Sequence, residues 1–265
     1  MPIKSPEVGI RPNPEVIIWR YLELDKFQSM LERKALFFCR AGMFSDPFEG
    51  SLPQKVYDTR LQARREIDDF RGIESTQEQI AKSVDNLTQW HLEFRSTHVV
   101  NCWHMNTNES DAMWQLYLKS NAGVAIQTTV AQLLHSLQGT PQNIDISKIR
   151  YIDYESDVFY HPIEYPHRGY NLLTPLIHKR KEYLHERELR LIYEVNDTSI
   201  DPKYWENQEY KSGIFINIDI NLLINKIILP PTSDEAVRKD VEAIAEKYGY
   251  KFIFEKSTLS KPVLF

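Results

Sequence analysis

The chain has 265 residues, enough for one large domain or two small ones, and its 42% hydrophobic content suffices for a core. It carries 32 Lys and Arg against 37 Asp and Glu, a net charge of −5, which excludes a general nucleic-acid coat protein but not a local basic groove. Two cysteines, Cys39 and Cys102, exclude a disulfide scaffold and point to a cytoplasmic setting; no apolar run reaches the roughly 18–20 residues of a membrane span, and the opening residues lack the apolar core of a signal peptide.

Residues 1–14 hold four prolines and read as an N-terminal arm. Val16–Tyr21 is β-prone, Leu24, Phe27, Met30 and Leu31 recur at helical spacing, and Ala35–Cys39 is the next strand. Phe44–Gly50 is a turn, because Asp46 before Pro47 disfavours helix. Residues 54–95 predict a helical insertion of two polar helices covering one edge of the sheet. The second has a stripe of Ile80, Val84, Leu87, His91 and Phe94, opened by a Ser75–Glu78 capping box. Val99–Trp103 is a strand, Ser110 caps a short helix through Met113, Trp114 and Tyr117, and Val124–Ile126 is a strand. Further on come a helix at 129–138, a strand at Ile149–Tyr154, a helix at Leu172–Tyr183 and strands around Leu189–Tyr193, Ile214–Ile218 and Lys226–Leu229. A helix capped by Ser233 and stopped by Gly249 precedes a last strand, Phe252–Phe254. With no linker-like tract, residues 1–265 read as a single α+β domain of mixed or antiparallel sheets with short interrupting helices.

The chain has no P-loop, dinucleotide glycine fingerprint, Gly-x-Ser-x-Gly elbow or Cys-x-x-Cys pair. What remains is a set of weaker constellations, each with two readings. On a strand, Glu186, Glu188 and Arg190 share one face, and like charges so close call for a proton or a cation. They suit binding of a sugar diol beside a developing positive charge, or they are the solvated face of an edge strand. Trp103, Met113, Trp114 and Tyr117 can sandwich a flat heterocycle or simply pack a core. Arg20, beside Trp19 and Tyr21, either faces solvent or pairs with an anion, a pyrophosphate or Glu188. Asp46 and Glu49 can hold a metal or anchor a loop. Cys102 and His104 could form a nucleophile pair but lack a third group. His178, Glu182 and His185 share a helical face with metal-ligand potential, or belong to a solvated basic face with Lys179, Arg180 and Lys181. Of the other histidines, His161 and His167 show no zinc spacing.

The ordered set Trp19-Arg20-Tyr21, Phe44-Ser45-Asp46-Pro47-Phe48-Glu49-Gly50, Asn101-Cys102-Trp103, Met113-Trp114-Gln115-Leu116-Tyr117 and Glu186-Arg187-Glu188-Leu189-Arg190 resembles the bacterial and phage-associated domain-of-unknown-function 2971 family, from about residue 16 to about 230. That family brings no established activity. The order of a basic residue on an early strand, an aromatic middle segment and a late strand-borne Glu is similar to ADP-ribosyltransferase-like folds, and Glu186-Arg187-Glu188 looks like the Glu-x-Glu of arginine-modifying members.

That resemblance implies an enzyme using NAD as substrate. Arg20 would lie on its pyrophosphate or ribose with Tyr21 nearby, and Trp114 and Tyr117 would line the nicotinamide pocket. Glu188 would stabilise the charged ribose and Glu186 would orient the acceptor, with Arg190 beside the pair. The partners expected are a protein or nucleic-acid acceptor and a neutralising partner, as for a toxin or anti-phage effector in the cytoplasm, with no membrane. A metal-dependent nuclease or phosphodiesterase using Asp46, Glu49 and the His178/Glu182/His185 face is one alternative. A non-enzymatic nucleotide or phage-protein sensor is the other.

Overall fold

A computed structural model describes residues 3–4, 10–120, 122–159, 173–195 and 211–261 of the chain. Its framework is one ten-stranded mixed sheet with short helices between the strands, an α+β fold. The strands are β1 (Ile3–Lys4), β2 (Ile17–Glu23), β3 (Ala35–Arg40), β4 (His98–Met105), β5 (Gly123–Thr129), β6 (Ile144–Lys148), β7 (Arg150–Ile152), β8 (His178–Arg180), β9 (Glu188–Glu194), β10 (Gly213–Asn217), β11 (Lys226–Leu229) and β12 (Phe254–Lys256). Their main order is β1-β6-β9-β4-β2-β5-β11-β12, with β3 and β10 added beside β4; β7 and β8 form a separate parallel pair.

Helices α1 (Leu24–Arg33), α5 (Val130–Ser136) and α7 (Glu235–Lys247) contribute to the main core with Ile18, Phe27, Leu31, Phe38, Trp103, Leu189 and Leu191. Val100 and Ile192, on alternate positions of β4 and β9, face a second cluster with Val56, Leu176 and Ile177. Trp19 and Tyr21 pack with Met113 and Trp114 of α4 (Asp111–Tyr117) in a third. No helix among the described residues is long and apolar enough to cross a membrane.

The polar pair at 54–95 forms as α2 (Gln54–Arg71) and α3 (Gln77–Phe94). Ile80 and Val84 of the expected stripe are buried, while the side chains of Leu87, His91 and Phe94 lie outside the described set. The capping box sits one residue later than Ser75–Glu78. Gln79 N–H donates to Thr76 Oγ1, and Thr76 N–H donates back to Gln79 Oε1. Likewise Asp234 rather than Ser233 caps α7, because its carboxylate accepts from Val237 N–H at 3.0 Å. The N-terminal stretch is more than an arm where it is described: β1 pairs with β6 and Ile10 bridges Lys148.

The largest departure is at 172–183. Leu172, like His161 and His167, lies outside the described residues. From Thr174 the chain makes a 3-10 turn to Ile177, strand β8, and a second 3-10 turn over Lys181–Glu186. Leu176 and Ile177 satisfy the second core within one turn, and pairing of β8 with β7 then overrides the helical spacing. The face shared by His178, Glu182 and His185 therefore does not form.

Where β10 meets β3, Gly213 has φ +149° and its backbone lies against β3. A Cβ there would land on the Phe38 carbonyl oxygen. Gly213→Ala should accordingly cost about 2 kcal/mol or more, read as a lowered urea midpoint with unchanged slope.

Candidate functional site

The sheet forks at β4. One edge of β4 pairs with β9 along its length. The other edge is shared: Trp19 of β2 pairs with His104, whereas Cys39 of β3 pairs with Val100. Between them Cys102 has no partner on this second edge, and its carbonyl accepts a hydrogen bond from Arg20 Nη1 at 3.0 Å. Asn101 holds the fork open, donating to the Phe37 carbonyl of β3 while accepting from Trp103 Nε1. A cavity of about 580 Å³ occupies the fork and is lined from both faces of the sheet, a size that suits a small-molecule ligand.

The cavity has a cation in its lining. The Arg20 guanidinium lies 5.7 Å from the Trp103 ring centroid, and no carboxylate among the described residues pairs with it. Burial pushes its pKa down, but a guanidinium remains charged at physiological pH. Of the two partners anticipated for Arg20, Glu188 is not one: it lines the same cavity but is bound elsewhere.

The acids of the lining belong to a cluster. Glu188 opens β9, and β9 lies inside the sheet between β6 and β4, so the solvated-edge reading of this segment is overturned. Arg190, whose side chain is 1% exposed, sits two residues on and on the same face. Its Nε donates to Glu188 Oε1 at 2.7 Å and its Nη2 to Glu188 Oε2 at 2.9 Å. Nη2 also reaches Glu49 Oε2 at 2.7 Å, and Nη1 donates to the Leu176 carbonyl at 2.7 Å. Glu186 is not on the strand. It ends the 3-10 turn, and Arg187, at φ 41° in the left-handed region, redirects the chain between the two acids. Lys179 brings them together: its Nζ lies 2.6 Å from Glu186 Oε2, 3.6 Å from Glu188 Oε2 and 3.1 Å from Glu49 Oε1.

Three carboxylates thus share two cations. Burial alone would push the Glu188 carboxyl up, but Arg190 and Lys179 override it and hold the group down at about 2. Burial does prevail at Glu186, whose carboxyl is pushed up despite Lys179. Lys179 is itself held ionised against burial by Glu188 and Glu49.

Cys102 and His104 both line the cavity but are not poised as a nucleophile and base. Burial, then Glu188, pushes the Cys102 thiol up. His104 Nδ1 lies 2.6 Å from the Glu186 carbonyl oxygen, and burial pushes its pKa down.

Of the residues singled out from sequence, Arg20, Tyr21, Tyr117, Glu186 and Glu188 line this one cavity. Trp114 does not. It is core, edge-to-face with Tyr21, and its Nε1 donates to Glu109. Arg190 lies behind the acidic wall rather than in it. Asp46 is a loop anchor, bound to Arg180 Nε at 3.1 Å and to Phe48 N–H. Glu49, from the same turn, belongs to the acid cluster. Both ring nitrogens of His178 lie against backbone carbonyls, and among the described residues no three His, Cys, Asp or Glu gather as metal ligands.

Sequence reasoning missed Lys179, read with the solvated basic face yet buried, and the place of Glu49. The only signal was that the two acids needed a cation, and that requirement does not say which cation. No family model and no curated protein matches the chain.

The Glu188 pKa lies below its ordinary value of 4.5, so its contribution to stability is full above about pH 4.5 and is lost as pH falls toward 2. Arg190→Met leaves Glu188 and Glu49 without their shared guanidinium and should cost about 3–5 kcal/mol at neutral pH. The deficit should shrink as the pH is lowered toward 4, because the unpaired carboxylates then take up protons. Urea denaturation across that range checks both the size and the sign.

Proposed function

We propose that this protein is an ADP-ribosyltransferase-like enzyme that consumes NAD in the forked-sheet cavity. The observation that carries the reading is the polarity of that cavity. Arg20, with no carboxylate partner among the described residues, lines it together with Glu186 and Glu188 of an acid cluster with one negative charge in excess, and Asp25 and Lys26 add one charge of each sign. NAD has matching charges: an anionic pyrophosphate and a cationic pyridinium joined through ribose. It supplies a glycosidic bond whose cleavage leaves the bonding pair on the nicotinamide nitrogen and positive charge on the ribose carbon.

Arg20 would bind the pyrophosphate, a role suited to its planar fork. Tyr21 and Tyr117 would flank the nicotinamide ring. Glu188, kept ionised and fixed by Arg190, would stabilise the positive ribose carbon without rearranging. Glu186, 14% exposed, would take the acceptor's proton as the acceptor's lone pair bonds to that carbon. The acceptor would be a protein or nucleic acid, reached in the cytoplasm as a toxin or anti-phage effector reaches its target. The residue order shared with the domain-of-unknown-function 2971 family belongs to the same reading.

Labelled NAD is incubated with the protein and a cell lysate, with and without chelator. Transfer of label or release of nicotinamide, indifferent to chelator, is the expected outcome. Glu188→Gln should lower turnover by about 10²–10³-fold, and Arg20→Met should raise KM about tenfold or more. Thermal stabilisation by NAD with no product would replace the reading with that of a nucleotide sensor. Neither product nor stabilisation would end it.

A further inference from the structure

Lys179 is the one cation in contact with all three acids of the cluster. Arg190 reaches Glu188 and Glu49 but makes no ion pair with Glu186, which relies on Lys179 among the described residues. The excess negative charge is accommodated best where water can share it. Glu186 is the most exposed of the three carboxylates, at 14% against 6% for Glu49 and 5% for Glu188. Glu186 is therefore the acid whose ionisation the other members can tip.

We infer that Lys179 and Glu49 are positioning residues that act on Glu186 with opposite sign, Lys179 holding it ionised and in place and Glu49 opposing that ionisation. This rests on the transferase reading for its kinetic consequence, since only an ionised Glu186 can take a proton from an acceptor. The electrostatic part stands on the cluster geometry alone.

The groups around Glu186 come from several elements. Lys179 is on β8, Glu49 is in the 44–50 turn, and Glu188 and Arg190 are on β9. The hydroxyls of Tyr117 on α4 and Tyr151 on β7, the Cys102 thiol and the neutral His104 ring on β4 complete the setting. Arg187, the next residue, donates to Asn106 Oδ1 and makes no ion pair with the three acids among the described residues. None of the four groups in that setting is ionised at neutral pH, so the balance there is decided by three acids and two cations.

The test follows the titration of the Glu186 carboxyl in the free protein. It uses ¹³C-labelled glutamate in NMR, with the signal assigned by its loss in Glu186→Gln. Lys179→Met should raise the midpoint by about one pH unit or more, since an opposite charge within about 4 Å has been removed. Glu49→Gln should lower it, since a like charge has been removed, and Lys179→Arg should return it toward the parent value.

The acid limb of kcat for NAD consumption should move in the same two directions, with KM for NAD changing less than about threefold. A merely structural role would lower rate and melting temperature together and leave the midpoint in place. Midpoints that stay put, or move the same way in Lys179→Met and Glu49→Gln, overturn the inference. Should Lys179→Met not fold, Glu49→Gln and Lys179→Arg still carry the sign test. A parent protein that consumes no NAD sinks the transferase reading alone, because the carboxyl titration needs no substrate.

Discussion

A guanidinium buried as deeply as that of Arg190 can persist only if its donors are met by acceptors, because an unpaired charge away from water costs several kcal/mol. Glu188 takes two donors, Glu49 shares one, and the Leu176 carbonyl takes another. Those acceptors come from a strand, from a turn 141 residues earlier and from a 3-10 turn 14 residues earlier. Arg190 therefore fixes three separate stretches of backbone relative to one another. Replacing the whole set by apolar residues of similar volume could be as stable, so fold stability does not by itself explain the cluster. What the charges provide is a carboxylate, Glu188, that is ionised, immobile and open to a cavity.

The fork in the sheet supplies the rest of that cavity. An interior strand normally has both edges paired, but β4 has no register partner on one edge at Asn101, Cys102 and Trp103, where β2 and β3 have diverged. Cys102 is consequently used twice. Its carbonyl accepts from Arg20, and it lines the cavity beside Glu188. Arg20 and Glu188 line the same cavity without pairing, Arg20 bonded to the Cys102 carbonyl and Glu188 to Arg190 and Lys179.

Local features were legible in the sequence where a local rule decides them. The short helix after Ser110 is fixed by a serine whose hydroxyl accepts from Met113 N–H, and α7 by an apolar stripe including Val241 and Ala245. The α+β class followed from strands and short helices of that kind. The pairing of Arg20 and Glu188 on one cavity was legible only as a resemblance in order, since nothing in spacing says that β2 and β9 flank the same strand. The segment at 174–186 was misread for a definite reason. Its leucines and isoleucine have helical spacing for a single turn, after which the cation at 179 is drawn inward by acids from positions 49, 186 and 188. A run of charged residues reads as solvated unless its counter-ions are known, and here they are supplied by tertiary structure.

Arg20 and the acid cluster constrain a ligand more tightly than either would alone. A simple anion would satisfy Arg20 and be repelled by the acid cluster's excess charge, and a simple cation would meet the reverse. Only a molecule with both charges, spaced by roughly the width of the fork and with flat apolar surface for the rings between, removes both penalties at once. Such a ligand gains nothing from solvent-exposed pairing, because Arg20 and Glu188 are already held by backbone and by Arg190 and need not reorganise on binding. In the proposed transferase reading, the carboxylate of Glu188, held by Arg190, is where positive charge developing on the ribose carbon would be stabilised most.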